Sequence, residues 1–393
     1  VISRRIGRAA RALLAAAMLA TIAALLPAPA TGSPAPPGTD WSRAVVDATL
    51  ARFPQSAQLG GWGYQRGLYL YGQYLVYRRT GDPRYLRYLQ GWVDRFVDSA
   101  GHVDNAFDSL DNMQAGNLLV LLYQETKQAR YRTAATQIRA RLDSYPRTSD
   151  GGFWHATSRQ HQLWLDGTYM LLPFLVRYGD AIGDRRYAED EASRQLLIYA
   201  SHLAGPSGLL YHAYDESGTQ SWADPKTHHS PEFWCRAVGW YGMASVDVLD
   251  HLPADHPNRS RIVQLVRNLV QAIARYQDPA TGRWFQVVNR GDLAQNWTET
   301  SCSSMFTYVV DKAVQRHYVD AGYQGVAQRG YRGVLREVGV GADGLTDVAD
   351  ICVGTNVGDL PFYLARPRAT NDFHGLGAFL IMNEQLAGHP LPG

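Results

Sequence analysis

Apolar and aromatic residues recur at three- and four-residue spacing in segment after segment from Trp41 onward, the period of one buried face of an α-helix. The pattern predicts twelve helices, at 41–53, 64–80, 84–98, 113–126, 130–145, 167–182, 185–203, 236–250, 259–277, 302–317, 322–338 and 374–387. Runs with strand character, such as Trp284 to Asn289, are short and fall between helices. Three joints share a form: Gly81-Asp82-Pro83-Arg84-Tyr85, Lys127-Gln128-Ala129-Arg130-Tyr131 and Gly183-Asp184-Arg185-Arg186-Tyr187, spaced 46 and 56 residues apart. That is the period of a helical hairpin that stacks on its neighbours.

The joints alternate in length. Those at 81–83, 127–129, 183–184, 251–258 and 318–321 are short, whereas those at 99–112, 146–166, 204–235, 278–301 and 339–373 are long. Twelve antiparallel helices joined this way put every long loop on one rim, and long loops in a compact domain usually carry function. Six hairpins closing into a ring give an all-α (α/α)6 barrel with short β pieces in the rim loops; an open helical solenoid is the rival. The barrel is assigned to residues 41–393 as one catalytic domain.

Upstream, Arg4, Arg5, Arg8 and Arg11 precede an apolar run from Ala12 to Leu26 and a small-residue step at Ala28-Pro29-Ala30. Residues 1–30 therefore read as an export signal, by the general secretory or the twin-arginine route, too short in its apolar run to span a bilayer. Residues 31–40 read as a flexible linker. The expected location is secreted or extracytoplasmic, with no stable membrane span once the signal is removed.

Composition narrows the function. The 393 residues are 46% hydrophobic and 19% charged, ordinary for a folded chain, and without the four leading arginines the net charge of +2 becomes −2. No basic surplus remains to bind nucleic acid. Cys235, Cys302 and Cys352 form no C-x-x-C pair, so buried free thiols are expected rather than a disulfide framework, although one bridge is possible. No spacing calls for a metal or other cofactor; Gly339-x-Gly341-x-x-Gly344 follows a helix and opens none, so it reads as a loop.

Eight of the ten tryptophans (Trp62, Trp154, Trp164, Trp222, Trp234, Trp240, Trp284 and Trp297) lie in the long connections or in the first turn after one. Flat indoles stacking on sugar rings would explain that bias, as would aromatic packing beneath long loops. Within this rim, Asp166 in Trp164-Leu165-Asp166-Gly167-Thr168-Tyr169-Met170 stands at a helix start, either as an N-cap or as a desolvated acid. Asp111 occupies the same position one hairpin earlier, so in a closed ring the two face each other and share a proton. Arg236, flanked by Trp234 and Trp240, suits the carboxylate of a ring-shaped ligand or a local acid. His155 and His212 precede successive rim motifs.

Together, His155, Trp164-x-Asp166-Gly-x-Tyr-Met170, Trp222-Ala-Asp224-Pro, Pro231-Glu-Phe-Trp-x-Arg236-Ala-x-Gly-Trp240, Gln277-Asp-Pro279, Trp284-Phe-Gln-Val287 and Asn371-Asp-x-x-Gly375 resemble the unsaturated rhamnogalacturonyl hydrolases of glycoside hydrolase family 105. The resemblance covers roughly residues 41 to 388. It implies an (α/α)6 barrel acting on the 4,5-unsaturated uronic acid that polysaccharide lyases leave at a non-reducing end. It implies Asp166 as general acid/base and Asp111 as the second active-site acid. His155, His212, Trp234, Arg236 and Trp240, with Tyr64 and Met170 beside them, are the expected substrate contacts. Ala156 departs from the basic residue expected beside the histidine, which bears on subsite preference. Two rivals remain: an inverting glycosidase using Asp111 and Asp166 on saturated chains, and a barrel that binds sugar without cleaving it.

Overall fold

The computed structural model describes residues 38–387, so the expected export signal and most of the linker lie outside the described residues. Fourteen helices are seen among them: α1 Trp41–Arg52, α2 Tyr64–Thr80, α3 Pro83–Val93, α4 Leu110–Met113, α5 Gly116–Thr126, α6 Ala129–Arg141, α7 Asp166–Ala181, α8 Arg185–Leu203, α9 Cys235–His251, α10 Arg259–Arg275, α11 Thr300–Gln315, α12 Gln324–Leu335, α13 Leu360–Leu364 and α14 Phe373–Ala387. Six short strands pair antiparallel in twos: β1 Gln162–Trp164 with β2 Ala213–Asp215, β3 Val338–Val340 with β4 Thr346–Val348, and β5 Ile351–Cys352 with β6 Arg368–Ala369. Gly341 and Gly344 turn the β3–β4 hairpin, as a loop should. Among the described residues no helix is long and apolar enough to cross a membrane.

The helices close into a ring. α2 packs on α5, α5 on α7, α7 on α9, α9 on α11, α11 on α14, and α14 returns to α2, with α1, α3, α6, α8, α10 and α12 outside. This is the (α/α)6 barrel, and the solenoid is excluded by the α14–α2 contact. Glycine permits that closure: a Cβ at Gly72 would lie 2.7 Å from Leu380, and one at Gly377 2.6 Å from Leu68. Neither distance is tolerable for a real side chain, so the two helices meet backbone to backbone.

The repeated joint now has a physical account. Gly81 and Lys127 end α2 and α5 in the left-handed conformation, and Asp82 caps α3 by accepting from Arg84 N–H. Tyr85 and Tyr131 are wholly buried, with Arg84 and Arg130 over their rings. Every inner helix consequently begins at the long-loop rim and ends at the short-joint side, so six positive helix ends converge at the rim.

Two expectations change. Cys235 and Cys302 are bridged, Cα atoms 5.6 Å apart, tying the first turns of α9 and α11; only Cys352 is a buried free thiol. Their separation of 67 residues in sequence hid a proximity that only ring packing creates. The tryptophans are also largely packing: Trp234, Trp240 and Trp284 are at most 1% exposed, and Trp62 stacks on Trp92.

Inside the ring, toward the C-terminal ends of the inner helices, lies a charged plug. Lys312 reaches Asp247 at 2.8 Å and Asp250 at 2.9 Å, while Tyr308 donates to Asp247 at 2.5 Å. Arg177 spans Asn117, Tyr71 and Asp247 at 2.6, 2.8 and 3.3 Å. Burial pushes the Asp247 carboxyl up, but Lys312 and Arg177 outweigh it and hold the carboxyl below its ordinary range.

Candidate active site

At the rim a cavity of about 300 Å³ opens among Tyr64, Ser109, Asp111, His155, Ala156, Arg159, Trp164, Asp166, Gly354, Thr355 and Asn356. Its walls are built by backbone pairing between loops. Leu110 N–H donates to His155 O, which joins the Asp111 segment to the His155 segment. Leu165 N–H donates to His212 O beside the β1–β2 ladder, which does the same for Asp166 and His212.

Asp166 is the first residue of α7 rather than its N-cap, which is Leu165. Its carboxylate instead meets His212 Nε2 at 3.1 Å, while His212 Nδ1 lies 2.7 Å from the Tyr363 hydroxyl. A carboxylate only accepts, so Nε2 carries the hydrogen of that contact. Burial raises the Asp166 pKa, but the charge and hydrogen bond of His212, with His155 behind, pull it net below the ordinary value.

Asp111, in the short helix α4, has no such donor. His155 Nε2 is 3.8 Å away, and about a third of the Asp111 side chain faces the cavity. Burial lifts its pKa, the charge of Asp166 lifts it further, and His155 offsets only part. The two acids are thus pushed in opposite directions.

The remaining expected residues divide. Tyr64 and His155 line the cavity; His155 stacks on Trp164 at 4.5 Å, and its Nδ1 has no partner among the described residues. His212 is wholly buried behind Asp166, and Trp234 packs behind His212 at 4.7 Å. Trp240 stacks on Tyr169 at 5.0 Å and meets Tyr64 edge-on, while Met170, 1% exposed, lies in the core next to it in α7.

Arg236 departs most from expectation. It is 1% exposed, its guanidinium lies over Trp234 but not between two indoles, and its terminal nitrogens donate to Cys352 O, Val353 O and Ser301 Oγ. It holds the loop that carries Gly354, Thr355 and Asn356 to the cavity. Glu299 helps from the other side, accepting from Cys352 N–H and from the first turn of α11.

A second histidine string was missed. Tyr64 Oη lies 2.6 Å from His374 Nε2, and His374 Nδ1 lies 2.5 Å from Asp372. Burial first, then Arg236, lower the His374 pKa to about 4, so the ring stays neutral and accepts the Tyr64 hydrogen. The readable signal was Asp372, already within a motif, two residues before a histidine at a helix start. Arg159 and Ser109 gave no such signal, being a turn residue and a helix cap.

Two carboxyls tuned in opposite directions thus face one cavity at the rim of an all-helical barrel. The chain belongs to Glycosyl Hydrolase Family 88, whose family model matches residues 41–386. A glycoside hydrolase of family 105 from C. acetobutylicum superposes with a TM-score of 0.85 at 32% identity, over 89% of this chain and 100% of that one. Protein Atu3128 of Agrobacterium fabrum is 33% identical over 235 residues, 54% of this chain and 96% of that protein. The unsaturated rhamnogalacturonyl hydrolase YesR of Bacillus subtilis is 26% identical over 250 residues, 62% of this chain and 68% of that protein.

Proposed function

We propose that the protein removes the 4,5-unsaturated uronic acid from the non-reducing end of lyase-generated oligosaccharides, with unsaturated galacturonyl-rhamnose from rhamnogalacturonan as the leading substrate. The observation that carries this reading is the meeting of Asp111, His155 and Asp166 on one rim cavity of a family 88 barrel. The similarity to YesR supports the choice of sugar, and the Arg-rich, apolar leader supports action outside the cytoplasm.

An unsaturated uronide is an enol ether. Its arrival adds negative charge to a site already holding two acids, which favours proton uptake and leaves Asp166 protonated in the complex. Asp166 then delivers that proton to C4, and positive charge develops at C5 and the ring oxygen. Water adds at C5 and returns a proton to Asp166, so the carboxyl is regenerated. The hemiketal opens and releases the neighbouring sugar, with one water consumed. Asp111 keeps the pair supplied with its shared proton, and His212 orients Asp166.

The test is to incubate the protein with lyase digests of pectin, glycosaminoglycan and ulvan and follow the ultraviolet absorbance of the unsaturated uronate. The expected result is loss of absorbance, fastest with rhamnogalacturonan products. No loss with any digest overturns the reading.

A further inference from the structure

A cavity that takes a uronate beside two acids needs a cation. Arg236 is sealed beneath the site with its terminal nitrogens spent on protein oxygens. Position 156, beside His155, is alanine and lines the cavity with only a methyl group. Arg159 is the sole Lys or Arg among the cavity-lining residues. Its guanidinium sits 5.2 Å over the Trp164 ring, the same indole that carries His155, and among the described residues it makes no hydrogen bond or ion pair.

The backbone explains why it can reach. Arg159 N–H donates to Ala156 O and Gln162 N–H donates to Arg159 O, so two consecutive turns reverse the chain into β1 and bring residue 159 back over Trp164. The indole face orients the planar guanidinium by a cation–π contact and leaves its N–H fork open. The missing side chain at Ala156 leaves the space such a fork requires.

We propose that Arg159, not Arg236, grips the carboxylate of the bound uronate and is the charge-selecting residue of the site. The inference rests on the reading above for the identity of the sugar. Bidentate pairing would place the carboxylate, and with it C5, beside Asp111 and Asp166, and would offset the repulsion that two acids impose on an anionic ligand.

The experiment compares wild type with Arg159→Met and Arg159→Lys on unsaturated galacturonyl-rhamnose, whose second sugar is neutral, and on unsaturated digalacturonate, whose second sugar is acidic. Arg159→Met should raise KM about 10- to 100-fold on both substrates with a smaller change in kcat, at an unchanged melting temperature. The lysine variant should recover part of the loss, because it keeps charge without the fork. An unchanged KM overturns the proposal, and so does a loss confined to the acidic second sugar. Calorimetry with saturated D-galacturonate and D-galactose separates this inference from the function. Wild type should prefer the acid and Arg159→Met should not; equal galacturonate binding by both overturns the proposal. If wild type cleaves no unsaturated uronide yet shows that lost preference, the function falls and the anion site stands.

Discussion

Two groups of acids lie within one ring of helices and are treated in opposite ways. In the plug, Asp247 is 4% exposed, yet Lys312, Arg177 and Tyr308 all reach it. At the rim, Asp111 and Asp166 face histidines but form no ion pair with a lysine or arginine among the described residues. Both sites desolvate carboxylates. The plug satisfies them and so becomes structure, whereas the rim leaves proton affinity to be exchanged and so becomes chemistry. Burial of an acid therefore says little about function until its partners are known.

The contrast is broken most forcefully at the plug. Asp247→Ala strands Lys312 and Arg177 and should cost about 3–5 kcal/mol, read as a drop in denaturation midpoint. Turnover per folded molecule should remain close to wild type. Asp166→Asn should do the reverse, lowering kcat by ~10² or more while the midpoint holds. Retained activity within a few-fold would move the proton-transfer role to Asp111.

Titration sharpens the same contrast. The Asp247 pKa is lowered, so its contribution to stability is present above the unfolded-state value and lost as pH falls through the folded one. The Asp111 pKa is raised, so its contribution is present below the unfolded-state value and lost as pH rises through the folded one. Asp111→Asn should therefore gain stability relative to wild type as pH increases, measured by melts across a pH series. In the same variant, removal of a neighbouring negative charge should shift the alkaline limb of kcat/KM to lower pH. An unmoved limb would show that the two acids are not coupled.

The smallest expected effect is at Arg236. Arg236→Lys keeps the charge but loses hydrogen bonds to the 352–353 carbonyls, so the loop bearing Gly354 to Asn356 should loosen. A rise in KM of about tenfold with little change in kcat is expected. Kinetics indistinguishable from wild type would show that the loop holds without this brace.

The fold was legible because periodicity is local. All twelve expected helices are present, and most boundaries agree within a few residues. α3 and α6 end early, at Val93 and Arg141, because the chain turns into bridges such as Val97 with Val103 and Arg147 with Phe153. The one-turn helices α4 and α13 are too short to show a period. At the site, Asp166, Asp111 and His155 were legible from the rim motifs, and they do share the cavity, together with Tyr64. The duty of Arg236 was not, because its partners at 352 and 353 lie more than a hundred residues away and are backbone carbonyls, which a residue of any type would supply. Tyr64 and His374, 310 positions apart, pair only because the ring closes.

That closure also sets an order of events during synthesis. The second helix of the barrel emerges from the ribosome early, but its partner α14 comes last of all described elements, and the Tyr64–His374 pair waits for it. A nascent chain thus carries an exposed α2 flank for most of its translation, and half-made molecules have no finished pocket. Residues 38 and 387 flank elements that already touch, through Asn383 to Ser42 and Arg79 to both Asp40 and Glu384. A permuted gene that splices those positions together and opens the short joint at Lys127 would give the same ring with a different last helix, moving the moment of completion from α14 to α5.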